Sequence, residues 1–76
     1  MSFSVAVRAL ATLAAFAPAG GETAIGPGET IAGLAGRLGL PFDAVGTVLL
    51  NGRPAEADTP LSPGDTVSFV PPITGG

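Results

Sequence analysis

Glycine and proline punctuate this chain so often that no element in it can be long. Of its 76 residues, 12 are Gly and 8 are Pro. They cluster as Gly20-Gly21, Gly26-Pro27-Gly28, Gly39 with Pro41, Asn51-Gly52 and Pro63-Gly64-Asp65. Each cluster is a turn or cap signal. Between the clusters the apolar residues recur with a regular period, which favours short packed elements over low-complexity coil. This length supports one domain, and area scaling has such a domain bury only about 60–65% of its unfolded surface, so its stability margin is thin.

Phe3, Val5 and Val7 alternate with Ser4, Ala6 and Arg8, the period of a strand with one apolar face. Ala9 to Ala17 has no clean period, and its alanines permit a turn or two of helix that Pro18 ends. Ala15-Phe16-Ala17 behind Arg8 mimics a secretory cleavage site. The run is only weakly hydrophobic, Pro18 would follow the cut, and cleavage would remove the best strand, so the expectation is a cytoplasmic protein. No stretch approaches the ~18–20 apolar residues of a membrane span.

Glu22 to Ile25 reads as a short second strand. Thr30 is a suitable N-cap for a helix in which Ile31, Leu34, Ala35 and Leu38 form one apolar face. Gly33 and Gly36 weaken that helix by about 1 kcal/mol each relative to Ala. Either packing holds it, or the glycines let it lie close to the sheet. Gly39 suits the C-cap. Val48-Leu49-Leu50 is a strand, Asn51-Gly52 a hairpin turn, and Arg53 to Ala57 a return strand that Pro54 confines to an edge. Val67 and Phe69 alternate with Ser68 and Val70 in a last strand that Pro71-Pro72 ends. Strands interrupted by one amphipathic helix imply an α+β fold, one sheet with one helix packed across it.

The residues that are missing narrow the chemistry. The chain has no Cys, His, Lys, Tyr or Trp, its only bases are Arg8, Arg37 and Arg53, and its net charge is −3. Nucleic-acid binding lacks its basic stripe. Disulfides, thiolate metal sites and imidazole ligands are unavailable. Ser62 and Ser68 have no His to activate them, and no pair of carboxylates has a reason to act as acid and base. Arg8 and Arg53 read as solvated surface, and Asp43, Asp58 and Asp65 as turn residues. If this protein takes part in chemistry, the reacting group is not a side chain.

One group remains, the α-carboxylate of Gly76. It ends the run Phe69-Val70-Pro71-Pro72-Ile73-Thr74-Gly75-Gly76. The Pro-Pro pair stiffens the exit from the last strand, and Pro71 to Gly76 spans about 18–20 Å when extended. Two glycines without side chains can enter a channel too narrow for other residues. A carboxylate is a poor electrophile. Adenylation by a partner using ATP would activate it, and a sulfur nucleophile displacing AMP would leave a thiocarboxylate.

That ending carries a resemblance. The chain resembles the small sulfur-carrier proteins of the β-grasp (ubiquitin-like) fold, and among them the small subunit of molybdopterin synthase, whose members end in F-x-P-P-V-x-G-G or a close variant. Leu61-Ser62-Pro63-Gly64-Asp65-Thr66-Val67 is similar to the family's L-x-x-G-D-x-V segment, and Val7 to Leu13 to its first strand and exit. The resemblance implies a β-grasp mixed sheet of four to five strands with one main helix across it, a domain over 1–70 and a flexible tail over 71–76. It implies that Gly76 is adenylated by a ubiquitin-activating-like enzyme. A sulfurtransferase or desulfurase then supplies sulfur, and the tail threads into the large synthase subunit to deliver it to a pterin precursor. The carrier would bind no cofactor of its own, ATP being used by the activating partner, and would be a sulfur-donating subunit without catalytic side chains. Carriers for thiamine, tRNA thiolation or cysteine synthesis, and ubiquitin-like modifiers joined to lysines, share the Gly-Gly end, so the pathway stays open.

The candidate site is therefore Gly76 as the reacting terminus, with Gly75, Thr74, Ile73, Pro72, Pro71, Val70 and Leu49 meeting partners. Phe69 shares a face with Val67 and belongs to the core. Val70 points the other way. If Val48 and Leu50 face the helix, Leu49 faces out beside Val70, an exposed apolar pair next to the tail.

Overall fold

Phe3–Ala9 forms strand β1, Glu22–Ile25 β2, Thr47–Leu50 β3, Arg53–Ala55 β4 and Thr66–Val70 β5, and Ile31–Leu38 forms helix α1. These elements come from a computed structural model that describes residues 2–72. The strands make one mixed sheet in the order β2-β1-β5-β3-β4. β5 lies in its centre, parallel to β1 and antiparallel to β3. β4 takes the edge, as Pro54 requires, because proline cannot donate to a second neighbour.

The alternation read in the sequence becomes two sheet faces. Val5, Val7, Ile25, Val48, Val67 and Phe69 are buried beneath Ile31, Leu34 and Ala35 of α1, with Leu13, Leu40 and Leu61 closing the core. Phe69 is 0% exposed. Burying a side chain of this size contributes roughly 2–3 kcal/mol, a large share in a domain this small.

The Thr30 hydroxyl accepts from the Gly33 N–H at 3.2 Å, which caps the helix N-terminus. Gly39 ends it in the left-handed region with φ 70°. The Leu40 N–H then reaches back to the Ala35 carbonyl at 3.0 Å. The two helix glycines do not bring α1 closer to the sheet. A Cβ on Gly36 would meet nothing within 4 Å, and one on Gly33 would meet the Glu29 carboxylate rather than a strand. Packing of Ile31, Leu34 and Ala35 holds the helix. The alanine-rich stretch forms a 3-10 segment, Ala11–Phe16, instead of α-helix. It places Leu13, 3% exposed, against the core and joins β1 through Ala11 at φ 51°.

Asn51 and Gly52 have φ 54° and 85°, the two positive values of a type I′ hairpin turn. Asn51 also fastens that hairpin to the start of β5. Its Oδ1 accepts from the Thr66 N–H at 2.9 Å, its own N–H donates to the Thr66 carbonyl at 2.8 Å, and its Nδ2 donates to Asp65 Oδ1 at 3.0 Å.

Candidate functional site

The last strand is held on both sides up to its final residue. The Phe69 carbonyl accepts from the Leu10 N–H at 3.1 Å on the β1 side. The Val70 carbonyl accepts from the Gly46 N–H at 2.8 Å on the β3 side. Pro71 and Pro72 carry no N–H, so the ladder stops there and the chain leaves the sheet. Pro71 is half-buried and Pro72 exposed. Gly76, Gly75, Thr74 and Ile73 lie outside the described residues.

Register settles the two faces. Val48 stands opposite Phe69, and Leu50 opposite Val67, all on the helix side. Leu49 stands opposite Ser68, and Val70 opposite Thr47, on the other side. Leu49 and Val70 are therefore diagonal neighbours on the face away from α1, and both are half-buried. Exposed Arg8 on β1 flanks Ser68 on this face, and exposed Pro54 on β4 flanks Leu49. The open face thus carries an apolar pair with one cation beside it, immediately before the tail.

Two apolar side chains stand out at the tail end of the molecule, and periodicity alone did not single them out. Leu10, 46% exposed, follows β1 directly beside Phe69. Phe42, 38% exposed, sits in the 3-10 turn Phe42–Ala44 that leads to Gly46. Gly46 itself reads in sequence as the end of a connecting segment, with no local signal that it meets the tail.

On the helix side, Arg37 Nε donates to Glu29 Oε2 at 2.8 Å and Nη2 donates to Oε1 at 3.1 Å, a two-pronged pair. Hydrogen bonding from Arg37 leads in pulling the Glu29 carboxyl below its ordinary range, and the guanidinium charge and a backbone hydrogen bond at Gly26 act the same way against desolvation. Among the described residues no three His, Cys, Asp or Glu side chains come together as a metal site. No helix of the described residues is long and apolar enough to cross a membrane.

A five-stranded mixed sheet with one helix laid across it and a central last strand running into the C-terminal tail defines a β-grasp, ubiquitin-like protein. Within that class the chain belongs to the ThiS family, whose model matches residues 7–76. Members of that family are sulfur carriers, and membership implies a ubiquitin-activating-type adenylating partner and a sulfur-using one. The fold is similar to the solution structure of the Haloferax volcanii HVO 2177 protein, with TM-score 0.75 and 23% identity over 99% of this chain and 88% of that one. It is also similar to a crystal structure of H. volcanii small archaeal modifier protein 1, with TM-score 0.72 and 19% identity over 93% of this chain and 99% of that one. A crystal structure of SAMP1 from Haloferax volcanii matches with TM-score 0.68 and 23% identity over 96% of this chain and 99% of that one. No curated protein matches the chain.

Proposed function

We propose that this protein is the small subunit of a molybdopterin synthase, carrying sulfur as a thiocarboxylate on Gly76. The observation that carries the reading is the course of β5. β5, paired on both sides, runs through buried Phe69 into Pro71-Pro72, so the sequence ending in Gly75-Gly76 is delivered from a firmly held base. In the proposed cycle a Gly76 carboxylate oxygen attacks the α-phosphorus of ATP on the activating enzyme, and pyrophosphate leaves. Hydrosulfide from a sulfur-donating partner then attacks the acyl carbon. AMP departs with the bonding electron pair and the proton goes to solvent, so no oxidant or reductant is consumed. On the large subunit the thiocarboxylate sulfur attacks a carbon of the pterin precursor and replaces a carbon–oxygen bond there, and water cleaves the acyl–sulfur bond to restore the carboxylate. Leu49 and Val70 meet the partners, together with Pro71, Pro72, Ile73, Thr74 and Gly75. Such a cycle belongs in the cytoplasm, where ATP and the activating enzyme are available.

The test is intact and fragment mass after incubation with an adenylating enzyme, ATP and hydrosulfide. Exchange of oxygen for sulfur on the C-terminal fragment supports the carrier reading, and a population that stays unmodified overturns it. Adding the large synthase subunit and a pterin precursor reads the pathway. Sulfur that reaches no pterin assigns the carrier to thiamine, tRNA thiolation or cysteine synthesis.

A second reading, conjugation of Gly76 to lysines of other proteins, is favoured by the likeness to small archaeal modifier protein 1. The chain has no Lys, so it cannot build lysine-linked chains on itself. An isopeptide-linked adduct in the same incubation with cell extract would support this reading.

A further inference from the structure

Gly46 lies where the chain leaves the sheet. A Cβ there would stand 2.5 Å from Pro72 Cα, 2.7 Å from Pro72 N and 3.0 Å from the Pro71 carbonyl carbon. All three are backbone atoms, and the proline rings lock their own φ angles, so no side-chain rotation makes room. The glycine is not needed for its backbone conformation, because Gly46 is not among the residues with positive φ. It is needed for space. Gly33 differs, since its Cβ would press only on the end of the Glu29 side chain.

We propose that Gly46 is a positioning residue that sets the direction in which the C-terminal segment leaves the sheet. Beyond Val70 the two prolines offer no N–H to either neighbouring strand, so the path depends on contact rather than on pairing. That contact is Pro71-Pro72 lying directly on the bare Gly46 backbone. A methyl group at this position forces either the proline pair away from β3 or the loss of the 2.8 Å bond from Gly46 N–H to the Val70 carbonyl. Either change re-aims the segment that ends in Gly76. The inference rests on the reading of Gly76 as the activated terminus, and Gly46 acts on it only through Pro71 and Pro72.

The first measurement needs no variant. In the full-length protein an NOE is expected between the Gly46 Hα and Pro72 Hα protons, and its absence overturns the proposal. The second compares Gly46→Ala with Gly36→Ala, whose added methyl meets nothing within 4 Å. With the adenylating enzyme and ATP, Gly46→Ala is expected to lose about tenfold or more in kcat/KM, because a re-aimed segment must be reordered before it seats. The loss should lie in KM, because a tail once seated reacts normally, and Gly36→Ala should keep the wild-type value. Wild-type efficiency in Gly46→Ala, or a fall in kcat alone, overturns the proposal. Failure of the wild-type chain to be adenylated overturns the reading of Gly76 instead, and the NOE then still decides the path at Gly46. The same NOE decides it if Gly46→Ala does not fold.

Discussion

Asn51 Nδ2 donates to Asp65 Oδ1 at 3.0 Å, and the second Asp65 oxygen accepts from the Ser62 N–H at 2.8 Å. One carboxylate therefore joins the β3–β4 turn to the turn that launches β5. Asn51→Ala removes the side-chain partners of Asp65 and of the Thr66 N–H, and it leaves a non-glycine residue at φ 54°. Water can replace part of what is lost at this exposed site. The expected cost is about 1–2 kcal/mol by urea titration.

Phe69 and Val70 are neighbours with opposite roles. Phe69→Ala is expected to cost about 3–5 kcal/mol, enough to unfold much of a domain with so thin a margin, as thermal melting would show. Val70→Ser and Leu49→Ser remove half-buried apolar groups from the open face and should cost about 1–2 kcal/mol each, well short of Phe69→Ala. If that face docks the adenylating enzyme, both should raise KM in pyrophosphate exchange with little change in kcat.

Removing Gly76 should abolish adenylation without moving the melting temperature. Among the described residues the buried core ends at Phe69. Mass analysis of the truncated chain after incubation with enzyme, ATP and hydrosulfide should find no sulfur.

The two helix glycines should respond differently to alanine. Gly36→Ala adds a methyl in open space and should stabilise the domain by up to about 1 kcal/mol, through helix propensity and the unfolded chain. Gly33→Ala places its methyl 2.9 Å from Glu29 Oε2, so it should gain less as the ion pair shifts. Chemical denaturation of the two variants side by side measures the difference.

Glu29 carries a pH signature of definite sign. Its folded pKa lies below the unfolded one, chiefly because Arg37 hydrogen-bonds the ionised form. The stabilisation is therefore complete above the ordinary glutamate range and is lost as pH falls through the lowered folded value. Arg37 is shifted upward by the same contact, which affects only strongly alkaline pH. Glu29→Gln should melt below wild type at neutral pH and converge with it in acid. Because the pair is exposed, the difference should be small and shrink with salt.

Much of the fold was legible because its signals are local. A strand shows its period within seven residues, as Phe3–Ala9 does, and Asn51-Gly52 specifies its turn by the two positive φ angles those residues tolerate. Thr30 and Gly39 mark both ends of α1 for equally local reasons, the first by a hydroxyl three residues from its N–H partner. The outward face of Leu49 followed from alternation once Val48 was buried, but its place diagonal to Val70 needed the register of β3 on β5.

What the sequence by itself determined about this protein is which segments are strands and which the helix, which residues are apolar on one side, and that the chain has no Cys, His or Lys to supply a reactive side chain. Tertiary structure alone decided that β5 sits between β1 and β3, that Asn51 grips Asp65, and that Gly46 lies beneath Pro72. Those contacts join residues far apart in the chain. Their energy depends on distances that exist only after the sheet has closed, so no local pattern of residues can announce them.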